Sequence, residues 1–198
     1  MHSKEKWFRE KSEKTILPVL KKWKLPAEAL TISRIIFAII TAIVLLNGNW
    51  VYSAIFITIY QFFIILDYLD GKLARYQKRF SIKWVYVDRI SHHVITFLFI
   101  FCLAISTKNT TIVLISSIPV LLFSLIGIFE TPNFIRNIKT KEKSRGFIEE
   151  IWGFFILESP FSLFYFGVIL NLKEAIIILY SIFYAIGLIY KVLHRIKN

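Results

Sequence analysis

The chain has 198 residues and a mean hydropathy of +0.60; 56% of its residues are hydrophobic and only 19% are charged. A soluble domain of this length has too little polar side chain to cover so much apolar surface, so the composition excludes an ordinary soluble protein. The net charge of +12 is typical of nucleic-acid-binding proteins, but the basic residues lie in patches between apolar runs, and we therefore exclude nucleic acid as a partner. The sequence indicates a small polytopic membrane protein.

The first predicted element is an amphipathic helix over residues 1–25. Apolar side chains, including Trp7 and Trp23, are interleaved there with basic side chains. Tryptophan favours the boundary between headgroups and hydrocarbon, and Pro18 interrupts a helix in its interior. We expect a helix that is broken near Pro18 and lies on the cytoplasmic membrane surface; a disordered basic tail is the alternative.

Six apolar segments follow, each long enough, or nearly so, to cross the ~30 Å of membrane hydrocarbon. They cover residues 29–47, 51–75, 83–105, 111–130, 147–171 and 174–191. The predicted fold is all-α, with six transmembrane helices over 29–191 preceded by the interfacial helix, in a single domain over 1–198. Such a protein is integral to a membrane, which is the cytoplasmic membrane if the source is prokaryotic.

The distribution of Lys and Arg orients these helices. Of the 25 basic residues, 22 lie in the segments 1–27, 72–89, 136–145 and 191–198, which alternate with loops that are nearly free of positive charge. Because positive charge stays on the cytoplasmic side, both termini and the two basic loops are predicted to be cytoplasmic.

Acidic side chains inside predicted spans are costly and mark candidate functional sites. Asp67, Asp70 and Gly71 share one face of the second span, and Asp88 and His92 lie one turn apart on the third. Because the turn between these spans is short, both faces reach the same depth below the cytoplasmic surface. Three carboxylates in a poorly solvated pocket repel one another, and a divalent cation such as Mg2+ or Mn2+ removes that conflict.

Gly71 indicates what such a cation holds. A residue without Cβ allows a ligand to approach the helix backbone, and the basic residues that follow add positive charge. A metal-bound diphosphate at the membrane surface is the ligand that this pattern favours. The alternative is structural, with the carboxylates in ion pairs with the neighbouring Lys72, Arg75 and Arg89.

The same stretch resembles a family signature. D-Y-L-D-G-K-L-A-R, from Asp67 to Arg75, followed by Asp88, is similar to the pattern D-x2-D-G-x2-A-R-x8-G-x3-D-x3-D of the CDP-alcohol phosphotransferase family. The segment L-T-I-S-R, from Leu30 to Arg34, resembles the family's L-T-x-x-R in the first helix. With the chain length and predicted helices, the resemblance covers nearly the whole chain.

The resemblance implies an activity and a set of site residues. Members of the family transfer a phosphatidyl-type group from a CDP-linked lipid to an acceptor alcohol and release CMP, a reaction of phospholipid biosynthesis. By resemblance, the divalent cation is bound by Asp67, Asp70 and Asp88. The CDP-linked donor is bound by Thr31, Asp67, Gly71, Ala74 and Arg75. A homodimer is also implied.

Three positions depart from the family pattern. Trp84 replaces the second glycine, Glu28 stands where an asparagine usually precedes L-T, and His92 replaces the last aspartate. We expect His92 to act with Asp88 as a catalytic base; imidazole also binds transition metals but is a poor ligand for Mg2+. The departures leave open a catalytically impaired member that binds CDP-lipid or metal as a partner or regulatory subunit. A small transporter is a weaker third alternative, since the charges cluster near one face.

The remaining candidates lie on the cytoplasmic side or in the fifth span. A basic segment before the fifth span contains the candidate acceptor-binding residues Arg136, Lys139 and Arg145, although positive charge on the cytoplasmic side explains such a run as well. Glu158 either lines a substrate cavity or forms a hydrogen bond within the bundle. Because His93 points about 100° away from His92, at most one of the two faces the site, and we favour His92.

Overall fold

The computed structural model describes residues 10–79, 81–137 and 162–196. In these ranges the chain is helical and contains no β-strand. A helical segment over residues 10–15 precedes the helices α1 (Leu17–Lys22), α2 (Ala27–Leu46), α3 (Trp50–Tyr76), α4 (Ile82–Ser106), α5 (Thr110–Asn137), α6 (Leu163–Ile169) and α7 (Lys173–Ile196).

Five of these helices, α2, α3, α4, α5 and α7, are long and apolar enough to cross a membrane. They coincide with five of the predicted spans and confirm an all-α polytopic membrane protein. The other predicted span, 147–171, lies largely outside the described residues, and α6 occupies part of its described end.

Two helices extend past their predicted spans. α5 reaches Asn137 and α7 reaches Ile196, beyond the predicted ends at 130 and 191. Hydropathy locates the residue at which side chains become polar, whereas the backbone hydrogen bonds of a helix continue into the aqueous layer.

The N-terminal helix is interrupted near Pro18, although the backbone of Ile16 stays in the helical region, with φ −92° and ψ −40°. The helical segment is interrupted by a turn at Ile16, and Pro18 lies in the first turn of α1, where its missing N–H leaves no hydrogen bond unmade. Leu17 and Leu20 of α1 are buried with Leu73 and other apolar residues of α2 and α3. The described part of the N-terminal element is therefore docked on the bundle.

The helices pack around α4. This helix contacts α2, α5 and α7, while α3 lies against α2 and α6. The core is largely aliphatic and aromatic: the Phe99 ring of α4 lies 4.9 Å from that of Tyr60, and the Phe164 ring of α6 lies 5.6 Å from that of Tyr180. Between membrane helices, close packing of this kind supplies stability that the hydrophobic effect does not.

The candidate site residues of α2, α3 and α4 lie at one end of the bundle. There the C-terminal end of α3 and the N-terminal ends of α2 and α4 line a common cavity, and only residues 77–81 separate α3 from α4 in the sequence. Gln77 fastens this corner, because its Nε2 donates to Leu25 O (2.6 Å) and its Oε1 accepts from Ala27 N (3.4 Å).

Candidate functional site

Two carboxylates and an imidazole meet between α3 and α4. Asp67, Asp88 and His92, here called the Asp–Asp–His cluster, each offer one ligand atom, and these atoms all lie within 4.8 Å of one another. His92 Nε2 is 3.4 Å from Asp67 Oδ2 and 3.3 Å from Asp88 Oδ1. The Asp67 side chain is 6% exposed and that of Asp88 31% exposed, so the cluster runs from the protein interior towards a cavity.

Arg34 of α2 completes the cluster, and its role was missed by reasoning from the sequence. Its side chain is fully buried, with Nε 3.1 Å from Asp67 Oδ1 and Nη2 2.8 Å from Asp88 Oδ1. Nη1 lies 2.6 Å from Nδ1 and 2.8 Å from Nε2 of His92, and Nη2 donates to Ser91 Oγ. The available signal was an arginine inside an apolar span, since a buried guanidinium requires anionic partners.

Asp70 is not a member of the Asp–Asp–His cluster but borders the same cavity as Asp67 and Asp88. Its Oδ2 accepts a 2.7 Å hydrogen bond from Oγ1 of Thr31, a residue of α2 that is only 3% exposed. Asp67 and Asp88 thus join His92, while Asp70 is oriented by Thr31.

Two adjoining cavities open beside these residues. The larger, of about 420 Å3, is lined by Asp67, Tyr68, Asp70, Gly71, Lys72, Arg75, Val85, Asp88, Arg89 and His92. The smaller, of about 70 Å3, is lined by Ala27, Glu28, Thr31, Asp70, Gly71, Ala74, Arg79, Ser81, Trp84, Val85 and Asp88. All five donor-binding candidates therefore border one or both cavities.

Gly71 faces open space. A Cβ built on it would find no heavy atom within 4 Å, so helix packing does not require a glycine there. A glycine inside a helix costs ~1 kcal/mol relative to alanine. A residue that lowers helix stability without any packing reason, beside two carboxylates and a cavity, is consistent with a backbone that a ligand approaches.

The ion pairs of Asp67 and Asp88 include Arg34, which the structural alternative did not name. Lys72 bonds to Glu13 of the N-terminal element, while Asp67 and Asp88 pair with Arg34. Both carboxylates therefore have a counter-charge from α2, in addition to any from the basic run after Gly71.

His93 lies on a different side of α4 from the cluster. It packs against Gly127 of α5, where a Cβ would come within 2.2 Å of the imidazole Cε1. Of the acceptor candidates, Arg136 lies in the last turn of α5, while Lys139 and Arg145 lie outside the described residues, as does Glu158.

Comparison with known families identifies the chain. The family model of CDP-alcohol phosphatidyltransferases matches residues 24–193. The chain belongs to this family. No curated protein and no solved structure matched in the corresponding comparisons.

The departures from the CDP-alcohol phosphatidyltransferase signature lie at the cavities. Trp84 and Glu28 line the smaller one, and His92 lies within the ligand cluster. The indole of Trp84 thus occupies space beside Asp70 and Gly71 that a glycine would leave open. The His92 ring lies against Arg34 and two carboxylates.

The donor set fits the divalent cation that CDP-alcohol phosphatidyltransferases use. Asp67 and Asp88 supply hard oxygen atoms and His92 a nitrogen, at separations that a single ion can bridge. Asp67 is buried, whereas the cluster is open on the side that faces the larger cavity. A catalytic cation requires such an open side for its substrate.

Proposed function

We propose that the chain is an integral-membrane transferase that moves a phosphatidyl-type group from a CDP-linked lipid to an acceptor alcohol with release of CMP, as a step of phospholipid biosynthesis. The observation that carries this proposal is that the Asp–Asp–His cluster and Gly71 border the same cavity of about 420 Å3. A cavity of that size suits a small-molecule ligand, and the cluster and the bare backbone are the features that a metal-bound diphosphate requires.

The donor is proposed to bind with its diphosphate beside the cluster and against the backbone at Gly71. Lys72, Arg75 and Arg89 border this cavity and supply positive charge for the phosphate oxygens. Thr31 and Ala74 border the adjoining smaller cavity, so the cytidine part of the donor extends in that direction.

The reaction is a displacement at phosphorus. The acceptor oxygen attacks the phosphorus that carries the lipid, and the bond from that phosphorus to the bridging diphosphate oxygen breaks as CMP leaves. The acceptor proton passes to the carboxylate of Asp88, which borders both cavities. Asp88 Oδ1 pairs with Arg34, so we assign the proton to Asp88 Oδ2; the His92 ring, which lies between Arg34 and two carboxylates, is assigned to the cation.

Asp67, Asp88 and His92 would hold the divalent cation, Mg2+ or Mn2+, with Asp70 at the border of the same cavity. A cation bound there supplies neutralisation of the phosphate charge that develops during transfer. The chain's own contribution is a preorganised site, since Arg34 fixes both carboxylates and Thr31 fixes Asp70.

The remaining assignments complete the proposal. The site end of the bundle and both termini face the cytoplasm, as the distribution of basic residues favours. Arg136, Lys139 and Arg145 are proposed to bind an acceptor phosphate. The protein is proposed to act as a homodimer in contact with membrane lipids.

One observation favours a second function. Trp84 and its neighbours leave only about 70 Å3 in the smaller cavity, well below the ~300–1,000 Å3 of typical small-molecule sites. If the nucleotide of the donor does not fit beside Asp70, the protein would bind CDP-lipid or metal without turnover, as a partner or regulatory subunit.

Release of CMP tests the proposal. Purified protein is incubated with CDP-diacylglycerol, Mg2+ or Mn2+ and, in turn, glycerol 3-phosphate, inositol phosphate, inositol and serine, while CMP and the lipid product are quantified. We expect cation-dependent CMP release with one acceptor, loss of it in Asp67→Asn and retention in the control His93→Gln. Binding of CDP-diacylglycerol without CMP release from any acceptor would support the second function, and absence of both binding and release would contradict both.

A further inference from the structure

We propose that the Asp–Asp–His cluster binds one divalent cation per chain in the absence of donor, that it prefers an ion that accepts imidazole, such as Mn2+ or Zn2+, to Mg2+, and that Arg34 supplies a fixed positive charge that excludes a second ion. The inference rests on the proposed function only in taking this cluster as the cation site. It concerns binding and is measured without turnover.

The first support is the charge of Arg34. A guanidinium stays protonated at every accessible pH, and this one is fully buried between Asp67 and Asp88. It therefore acts as a permanent monovalent cation inside the site. Because Nε and Nη2 engage different carboxylates, the guanidinium also fixes the distance between them.

The second support is the local positive charge. Arg34 pairs with Asp67 and Asp88, and Lys72, Arg75 and Arg89 add positive charge at the same cavity. The carboxylates attract a first divalent cation, whereas a second would lie next to a guanidinium that is 0% exposed, where the repulsion between cations is weakly screened.

The third support is the distribution of ligand atoms. Only one group of three ligand atoms within 4.8 Å is found in the described part of the chain that forms the site, and Asp70 is not a member of it. Asp67 Oδ1 faces Arg34, while Oδ2 faces His92. One oxygen of Asp67 therefore pairs with Arg34, and the other is placed to bind the metal.

The fourth support is the chemistry of the donor set. Mg2+ binds oxygen ligands in an octahedral arrangement, whereas imidazole suits first-row transition metals. His92 Nε2, at 3.3–3.4 Å from both carboxylates, is placed to share an ion with them. A set of two oxygens and one nitrogen therefore favours Mn2+ or Zn2+ over Mg2+.

Metal binding to the purified full-length protein tests this inference. Metal-free protein is titrated with Mn2+ in the absence of nucleotide; bound Mn2+ is counted by equilibrium dialysis and examined by electron paramagnetic resonance, and Mg2+ is added as a competitor. We expect one Mn2+ per chain, no spin coupling between ions, a nitrogen hyperfine coupling from His92, and weaker binding of Mg2+.

Variants locate the effect. His92→Ala should remove the nitrogen coupling and lower Mn2+ affinity by at least the ~10–100-fold seen for the outer partners of metal ligands. His92→Asp should remove the coupling and shift the preference towards Mg2+, whereas the control His93→Gln should behave as wild type. Arg34→Gln should admit a second ion; if that variant does not fold, the wild-type stoichiometry and His92→Asp still decide the question.

The contrary results are specific. Two ions per chain, absence of nitrogen coupling, or equal affinity for Mn2+ and Mg2+ in the wild type would each overturn the inference. Turnover that requires two Mg2+ would do the same while leaving the proposed transferase intact. One bound Mn2+ with nitrogen coupling but no CMP release would support the inference and count against the transferase.

Discussion

Thr31 Oγ1 donates a 2.7 Å hydrogen bond to Asp70 Oδ2, and this bond ties the first membrane-spanning helix to the second signature aspartate. Thr31 is almost fully buried, whereas Asp70 borders both cavities. The orientation of Asp70 in both cavities therefore depends on α2 as well as on its own helix.

The first prediction follows from this bond. Thr31→Val keeps the shape of the side chain but removes the hydroxyl that bonds to Asp70. We expect the free energy of unfolding to fall by ~1.5–3 kcal/mol, the range for a hydrogen bond to a charged group. Thermal unfolding in detergent should show a lower midpoint, and titration with CDP should show weaker binding. The control is Thr58→Val, because the Thr58 hydroxyl bonds only to the backbone of its own helix on an exposed face. Equal effects of the two variants would contradict the assignment.

A second prediction compares two glycines. Gly71→Ala adds a Cβ in open space and removes a helix-destabilising glycine, so thermal stability should stay constant or rise by ~0.5–1 kcal/mol while CDP affinity falls. Gly127→Ala places its Cβ 2.2 Å from the His93 ring and should destabilise the protein by ~1–3 kcal/mol through overpacking. Undiminished CDP binding in Gly71→Ala would show that no ligand approaches that part of the helix.

The third prediction concerns Trp84. Trp84→Ala keeps the helix propensity of α4 and enlarges the smaller cavity, so CDP should bind more tightly. The variant should also be less stable, because truncation of a fully buried tryptophan lowers the free energy of unfolding by ~3–5 kcal/mol. The half-buried Trp84 should lose less than that range. Val87→Ala is the control on the same helix, because Val87 is 42% exposed and does not border either cavity. Weaker CDP binding in Trp84→Ala would mean that the indole contacts the nucleotide rather than displacing it.

The fourth prediction concerns the ion pair between Glu13 and Lys72. Both side chains are more than a third exposed, so Glu13→Gln should change stability by less than ~1 kcal/mol. Lys72 borders the larger cavity, and its release should strengthen CDP binding by a few-fold at low ionic strength, an effect that added salt removes. Glu10→Gln is the matched control in the same segment. A large loss of CDP affinity in Glu13→Gln would indicate that Glu13 itself positions the donor.

The sequence predicts one helix pair of the site better than the third helix. Helical spacing and a short turn bring Asp67 on α3 close to Asp88 and His92 on α4, and these features are readable from local pattern alone. The contacts of Arg34 and Thr31 depend on how α2 is rotated about its axis against this pair. Tertiary packing sets that rotation. The apolar residues of α2 are distributed too evenly around the helix for their periodicity to predict it.

The same reasoning explains where the helix limits differ. Apolar length locates α2, α3 and α4 to within a few residues because polar turns bound them closely. For α5, apolar length predicts an end that is too early. This helix contains Pro132 and polar residues near its end but continues to Asn137. The role expected for His92 as a base followed from its chain position, whereas its contacts with Arg34 became visible only in three dimensions.

We propose that a CDP-linked donor binds in the cleft between α2, α3 and α4. The most direct measurement is an experimental structure of the protein with CDP-diacylglycerol and Mn2+. We expect the diphosphate beside Asp67 and Asp88 and against the backbone of Gly71, with the nucleotide extending towards Thr31. A donor bound elsewhere on the protein, with the larger cavity empty and Arg34 unchanged, would contradict it.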